Sequence, residues 1–256
     1  MHIKGKVIIV TGAAGGIGRA LAKRFQDENA AAVVVCDIDA QGIRRVADEI
    51  GGLAAVCDVS DFNGVKQVVE DTEKRFGRVD LYCANAGILV KGGLEASDDT
   101  WQRVMDINLM AHVHAARACL PGMIARGGGA FLNTISAAGL LSQIGAVTYT
   151  VSKHAALGFA EWLAITHGHQ GIQVTVLCPQ AVQTPMIDHV PDGGVAGLDG
   201  VATPAQVVDC AVQALEGKRF MALPHPKVKE YFQHKAADHD RWIGAMQRLR
   251  CKFPEG

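Results

Sequence analysis

At 256 residues the chain fits one α/β domain, and its 49% apolar content can bury a large core, which excludes disorder and low complexity. A formal charge of −1 carries no basic footprint for nucleic acid or an anionic membrane. The longest early apolar run, Val7 to Val10, is far too short for a secretory or membrane-spanning segment, so we expect a soluble, cytoplasmic protein.

Lys6 to Thr11 (KVIIVT) is a continuous apolar run, the pattern of a strand covered on both faces. It leads into Gly12-Ala13-Ala14-Gly15-Gly16-Ile17-Gly18 and then a helical pattern from Arg19 to Glu28. Strand, glycine turn and helix in that order make an anion site. The glycines let the backbone approach a pyrophosphate, and the helix N-terminus offers free N–H groups and a positive dipole end. Ala32 to Cys36 is a second buried strand. It ends in Asp37, 19 residues after Gly18, the separation at which an acidic residue receives the adenosine ribose hydroxyls. A carboxylate there also repels a 2′-phosphate, and neither Gly15 nor Ile38 is charged to offset one. The competing role for Asp37 is N-cap of a helix from Ala40, which Asp39 can also fill.

Leu53 to Cys57 predicts a third strand. Asp58 and Val59 follow it, where a carboxylate can accept from an adenine amino group or close a turn. Phe62 to Phe76 is helical by the spacing of Val65, Val68, Val69 and Phe76, and Gly77 closes it. Val79 to Cys83 predicts strand four, ending in Ala84-Asn85-Ala86-Gly87. Asn85 can tie neighbouring strand ends through its amide, and Gly87 lets the backbone pass close to a ligand. Ser97 to Thr100 caps a long helix carrying Trp101, Val104, Met105, Ile107 and Leu109. Asn108 within it is either a satisfied structural amide or part of a proton path.

Gly127 to Gly129 turn into strand five, which ends at Ser136. Tyr149 comes 13 residues later and Lys153 four after that, on one helix face. A free phenol titrates near ~10 and is a poor base at neutral pH. An ammonium ~4 Å away, at an effective dielectric of about 20, favours the phenolate by roughly 4 kcal/mol, or about three pKa units. That brings a tyrosine into the range of acid/base work, with the Ser136 hydroxyl free to bond a substrate oxygen beside it. This helix runs on to about His167 with Ala155, Ala156, Gly158, Ala160 and Ala164, small residues that suggest another helix packed close, from a second subunit.

Gln173 to Leu177 predicts strand six, turned by Cys178-Pro179-Gln180. Ala181 to Thr203 reads as a long binding loop, Pro204 to Leu215 as a helix and Phe220 to Leu223 as a short last strand. Strand and helix alternate throughout, which predicts a parallel, doubly wound sheet with ligands at the carboxyl ends of its strands. The polar residues singled out above fall at those ends or one helix beyond. Seven scattered cysteines without a C-x-x-C read as small buried hydrophobes in a reducing compartment. No metal centre is expected: His112 and His114 are two apart on different helix faces, His167 and His169 sit at a helix end, and there is no H-E-x-x-H.

Together these residues resemble the short-chain dehydrogenase/reductase family over roughly Lys4 to Leu223. Thr11-Gly12-x-x-x-Gly16-x-Gly18 matches its cofactor loop, and Asp58, Asn85-Ala86-Gly87, Asn108, Ser136, Tyr149 and Lys153 follow in its order and spacing. The resemblance implies a single Rossmann-type domain over residues 1–223, with helices on both sheet faces; beyond it, 224–256 reads as a C-terminal helical extension packed on the same domain or on a neighbouring subunit. The resemblance also implies catalysis by Tyr149 as acid/base, by Lys153 lowering its pKa and holding the nicotinamide ribose, by Ser136 polarising the substrate oxygen and by Asn108 supporting a water-linked relay. It implies NAD held by Gly12, Ala14, Gly16, Ile17, Gly18, Asp37, Asp58, Val59, Asn85, Gly87, Tyr149, Lys153, Pro179, Val182 and Thr184, and a homodimer or homotetramer.

The sequence departs from the family twice. Its usual Pro-Gly after strand six is Pro179-Gln180 here. In place of a glycine-rich close come Pro224-His225-Pro226 and an amphipathic helix with Val228, Tyr231, Phe232, Trp242, Ile243, Met246 and Leu249 at helical spacing, which reads as a packing face on this subunit or its neighbour, with a lid over the substrate as the alternative. The cleft candidates Ile88, Leu89, Val90, Leu140, Leu141, Ile144, Met186, Ile187 and Val190 are largely apolar. The expected reaction is therefore NAD-dependent interconversion of a small hydrophobic secondary alcohol and its ketone. The rival reading is a nucleotide-sensing or scaffold protein on the same fold. The intact Asn108, Ser136, Tyr149 and Lys153 argue against it.

Overall fold

The computed structural model describes residues 1–188, 190 and 192–253. Seven parallel strands alternate with helices in the order β1 (Val7–Thr11), α1 (Gly16–Asp27), β2 (Ala32–Asp37), α2 (Ala40–Ile50), β3 (Leu53–Val56), α3 (Phe62–Phe76) and β4 (Leu81–Ala84). There follow α4 (Asp98–Met105), α5 (Ala111–Ala125), β5 (Gly129–Thr134), α6 (Val147–His167), β6 (Ile172–Leu177), α7 (Pro204–Glu216), β7 (Met221–Ala222), α8 (Lys227–Ala237) and α9 (His239–Lys252). The sheet order is β3-β2-β1-β4-β5-β6-β7, so the winding direction reverses between β1 and β4. In such a fold the ligand crevice opens at that reversal.

Strand residues alternate between two cores. Ile9, Val34, Cys36, Tyr82, Phe131 and Val176 face α3, α5 and α6. Ile8, Val10, Val33, Val35, Leu81, Cys83 and Leu132 face α1, α2 and α7. Burying each Val, Leu or Ile fully contributes about 1.5–3 kcal/mol, which is why these strands read as unbroken apolar runs.

Three local expectations change. Regular β5 stops at Thr134, because Ser136 takes φ 123°, ψ 154°, outside the strand region. Between α4 and α5 the chain forms a π-helical turn over Asp106–Met110, with Asn108 in its middle. The single C-terminal amphipathic helix is two helices. Asp238 is extended (φ −153°, ψ 96°) and its carboxylate accepts from Arg241 N–H at 2.9 Å, so it ends α8 and caps α9. No helix among the described residues is long and apolar enough to cross a membrane.

Candidate active site

The crevice begins at the β1–α1 turn. Gly15, the N-cap of α1, offers no side-chain acceptor to the first N–H groups of that helix. A Cβ on Gly15 would meet nothing within 4 Å, so those donors face open space, which suits a pyrophosphate. Gly18 serves the opposite purpose. A Cβ there would lie 2.2 Å from Gly12 O and 2.7 Å from Asn85 Nδ2, so only glycine lets α1 press onto the turn. Thr11 and Asn85 lock the strand ends together. Asn85 Nδ2 donates to Thr11 O at 3.0 Å, its Oδ1 accepts from Thr134 Oγ1 at 3.0 Å, and Thr11 Oγ1 accepts from the N–H groups of Asn85 and Ala86. One side chain thus spans β1, β4 and β5.

At the end of β2, Asp37 accepts from Ala14 N–H and Asp39 N–H, both at 3.2 Å. The cap of α2 is Asp39, which accepts from Gln41 and Gly42 N–H. The capping role is therefore taken, and Asp37 is left lining the crevice. Asp58 and Val59 line a neighbouring hollow together with Asp37 and Ile88. Within it Asp58 Oδ1 accepts from Ser60 N–H (2.9 Å) and Ser60 Oγ–H (2.7 Å), closing a turn. Ala14 and Gly18 act by holding Asp37 and by packing, not by lining the crevice.

Ser136, Tyr149 and Lys153 meet in one cleft of about 620 Å³, together with Gly12, Gly16, Ile17, Asn85, Gly87, Pro179, Val182 and Thr184. Ser136 is held in a strained backbone conformation, with Oγ accepting from Ala138 N–H at 3.1 Å and donating weakly to Pro179 O at 3.4 Å. Tyr149 is 7% and Lys153 3% exposed. Lys153 Nζ donates to Thr134 O at 3.0 Å and lies over the Tyr149 ring, 5.7 Å from its centroid. A Cβ on Gly87 would come within 3.3 Å of Nζ and 3.2 Å of Asn108 Oδ1, so glycine keeps that corner open.

The electrostatics of the pair differ from the sequence expectation. Burial pushes the Tyr149 phenol above its usual range, and the neighbouring Ser136 hydroxyl pulls it part of the way back. Burial also brings Lys153 down to about 8. Desolvation penalises both charged forms, and it outweighs the attraction expected of an ammonium that sits over the ring, bonded to a backbone carbonyl.

Asn108 is fully buried, and its side-chain amide is bonded within the fold. Its Oδ1 accepts from Ile88 N–H at 2.9 Å, and its Nδ2 donates to Ile88 O (2.9 Å) and Ser152 Oγ (3.1 Å). It clamps the loop after β4 onto the helix that carries Tyr149. Of the apolar candidates, Leu89, Leu141, Met186 and Ile187 line the cleft. Leu140 is in the core and Ile88 lines the neighbouring hollow; among the described residues Val90, Ile144 and Val190 do not line the cleft.

The C-terminal stripe does more than the packing favoured from its sequence. Leu198, Asp199, Tyr231, Trp242, Ala245, Met246 and Leu249 close one side of the cleft, so the C-terminal stripe packs on the domain and walls the cleft as well. Both departures from the family meet here. Gln180 N–H donates to His225 Nδ1 at 3.1 Å, and Gln180 Nε2 donates to Asp199 Oδ2 at 3.1 Å. The Pro-Gln dipeptide was the visible signal; the partners lie 19 and 45 residues away. No cluster of His, Cys, Asp or Glu among the described residues could hold a metal ion.

Fold and site together define an oxidoreductase of the dinucleotide-binding, doubly wound class. The chain belongs to the short chain dehydrogenase family, whose model matches residues 6–193. It is 34% identical over 229 residues to the 1-deoxy-11-beta-hydroxypentalenate dehydrogenase of Streptomyces exfoliatus, covering 86% of this chain and 83% of that one. It is 35% identical to the cyclohexanol dehydrogenase of an Acinetobacter strain, covering 71% and 75%. A short chain dehydrogenase/reductase from Burkholderia phymatum, solved in complex with NAD, superposes with a TM-score of 0.86 at 27% identity, covering 94% of this chain and 96% of that one.

Proposed function

We propose that the protein interconverts hydrophobic secondary alcohols and their ketones with NAD(H), using Tyr149 as the acid/base. The observation that carries this reading is the convergence of Ser136, Tyr149 and Lys153 on a cleft whose walls are otherwise largely apolar and which reaches Asp37 at its other end. The uncapped α1 N-terminus fits a pyrophosphate, and Asp37, free of the capping role, fits ribose hydroxyls and repels a 2′-phosphate. The nicotinamide, when bound, supplies the hydride acceptor or donor.

The chain's own residues do the rest. Ser136 Oγ bonds the substrate oxygen and Tyr149 Oη takes its proton in oxidation or returns it in reduction. Lys153, anchored to Thr134 O, sets the field at the phenol and reaches toward the nicotinamide ribose. Asn108 supports the water-linked relay by holding Ile88 and Ser152, with both Nδ2 hydrogens and one acceptor site of Oδ1 engaged. Pro179, Val182 and Thr184 form the nicotinamide end, where Thr184 Oγ1 now donates to Val182 O at 3.2 Å. Leu89, Leu141, Met186 and Trp242 exclude water around the reacting carbon. The exposed face of α6, with Val151, Trp162 and Ile165 open to solvent beside small residues, supports a homodimer or homotetramer, and a cytoplasmic location belongs to the same reading.

The test is cofactor absorbance during incubation with a panel of hydrophobic secondary alcohols and NAD⁺ or NADP⁺, wild type beside Tyr149→Phe. Turnover with NAD⁺, lost in the variant while NADH still binds, is the expected result. Retained turnover in the variant would overturn the assignment of Tyr149, and NADH binding without turnover of any alcohol would favour a sensing role.

A further inference from the structure

The cleft wall formed by the long loop and the C-terminal helices is apolar at Val195, Leu198, Trp242, Met246 and Leu249, yet Gln180, Asp199 and Tyr231 interrupt it. The Asp199 side chain is 8% exposed. Lys227 Nζ (3.0 Å) and Tyr231 Oη–H (3.1 Å) both reach its Oδ1, while Gln180 Nε2 alone reaches Oδ2. A carboxylate accepts about four hydrogen bonds, so Oδ2 retains an acceptor site. Gln180 Oε1, on the amide bonded to Oδ2, is buried with no partner. One acceptor in this wall, Gln180 Oε1, is therefore without a donor, and its neighbour Asp199 Oδ2 has room for one more; a buried acceptor left unpaired is costly.

A cluster whose only task was to tie the loop to α8 would account for the Lys227, Tyr231 and Gln180 donors, but it leaves Oε1 unexplained. The charge of Asp199 is already balanced by Lys227, so a cationic ligand gains little here and a neutral O–H is favoured. We propose that Gln180 and Asp199 form a second polar subsite that accepts a hydroxyl of the substrate other than the one that reacts at Tyr149. The inference rests on the proposed alcohol oxidation. It narrows the substrate class to apolar frames that carry a second hydroxyl. One part of the wall then selects by hydrogen bonding, which discriminates more sharply than apolar contact. The donated proton goes to Asp199 Oδ2 or, after a small turn of the amide, to Gln180 Oε1.

The experiment measures kcat/KM with NAD⁺ for 2-alkanols of six to twelve carbons and for the same series carrying a terminal hydroxyl. Wild type, Gln180→Leu and Gln180→Gly are compared. At the matching chain length the wild type is expected to prefer the hydroxylated alcohol by about tenfold or more, chiefly through KM, and both variants are expected to lower that ratio at least about fivefold. A merely structural role moves both series by the same factor in the variants, and that result overturns the subsite. Wild type that oxidises plain 2-alkanols as well as their hydroxylated counterparts overturns the subsite and leaves the parent reading standing; turnover of neither series overturns both.

Discussion

Around the β1–α1 turn, specificity is built from backbone: free N–H groups at the start of α1, a Gly18 that no Cβ could replace, and an Asn85 amide bonded mainly to main-chain atoms of the next strand. The C-terminal wall is built from side chains that meet across the chain, Gln180 with Asp199, Tyr231 with Asp199 and Lys235 with Leu140 O. The first region tolerates little because each atom is placed by strand geometry. The second can be rewritten residue by residue without disturbing a strand. One end of the cleft therefore suits a constant cofactor and the other a variable substrate.

The comparison predicts where damage is general and where it is selective. The largest effect belongs to Tyr149→Phe, which should lower kcat by about 10²–10⁴-fold for every alcohol, since it removes the proton carrier rather than a contact. Oxidation should rise with pH as the phenol loses its proton and reduction should fall over the same range; parallel profiles for the two directions would contradict that role. Gly18→Ala should come next. Its methyl would enter the space of Gly12 O and Asn85 Nδ2, so NADH affinity and the thermal midpoint should fall together, by about 1–3 kcal/mol of stability. Unchanged NADH titration would show that the turn has slack.

Lys153→Met separates stability from activity. Burial holds the folded-state Lys153 pKa at about 8, below its unfolded value, so the ammonium destabilises the fold in full below pH 8 and progressively less as pH rises from there toward ~10.4. The variant should therefore melt higher than wild type at neutral pH, with the gap closing in alkali, while turnover is lost; scanning calorimetry at pH 7 and pH 10 reads the sign. At the other end, Asp37→Ala should narrow the preference for NAD⁺ over NADP⁺ by about tenfold, worth roughly 1.4 kcal/mol of removed repulsion and lost ribose bonds. The smallest and most selective effect is expected for Leu249→Ala, which should raise KM for large alcohols a few-fold and leave NADH binding unchanged. If it weakened NADH as well, the two ends of the cleft would not be independent.

Much of this was legible in the chain itself. Apolar runs such as Val7–Thr11, the glycine turn after them and Asp37 at its spacing are local signals, because a strand, a turn and a helix cap are each decided within a few residues. The helical spacing of Tyr149 and Lys153 is equally local, and it put both side chains in the cleft. The sequence also showed two possible caps for α2 and favoured the cofactor role for Asp37; hydrogen bonds to Gln41 and Gly42 N–H assign the cap to Asp39.

Tertiary structure decided what depends on distance and burial. Whether Lys153 lowers the Tyr149 pKa depends on solvent exclusion by the surrounding walls, and burial reverses the direction read from spacing alone. What the Asn108 amide holds depends on Ile88 and Ser152, which lie 20 and 44 residues away. The division of the C-terminal stripe into α8 and α9, with Trp242, Met246 and Leu249 turned to the cleft, depends on the Asp238 break and on contacts with the main core. Periodicity states which residues share a face. Only the packed chain determines what that face meets, because burial and hydrogen-bond partners belong to pairs of residues that the sequence holds far apart.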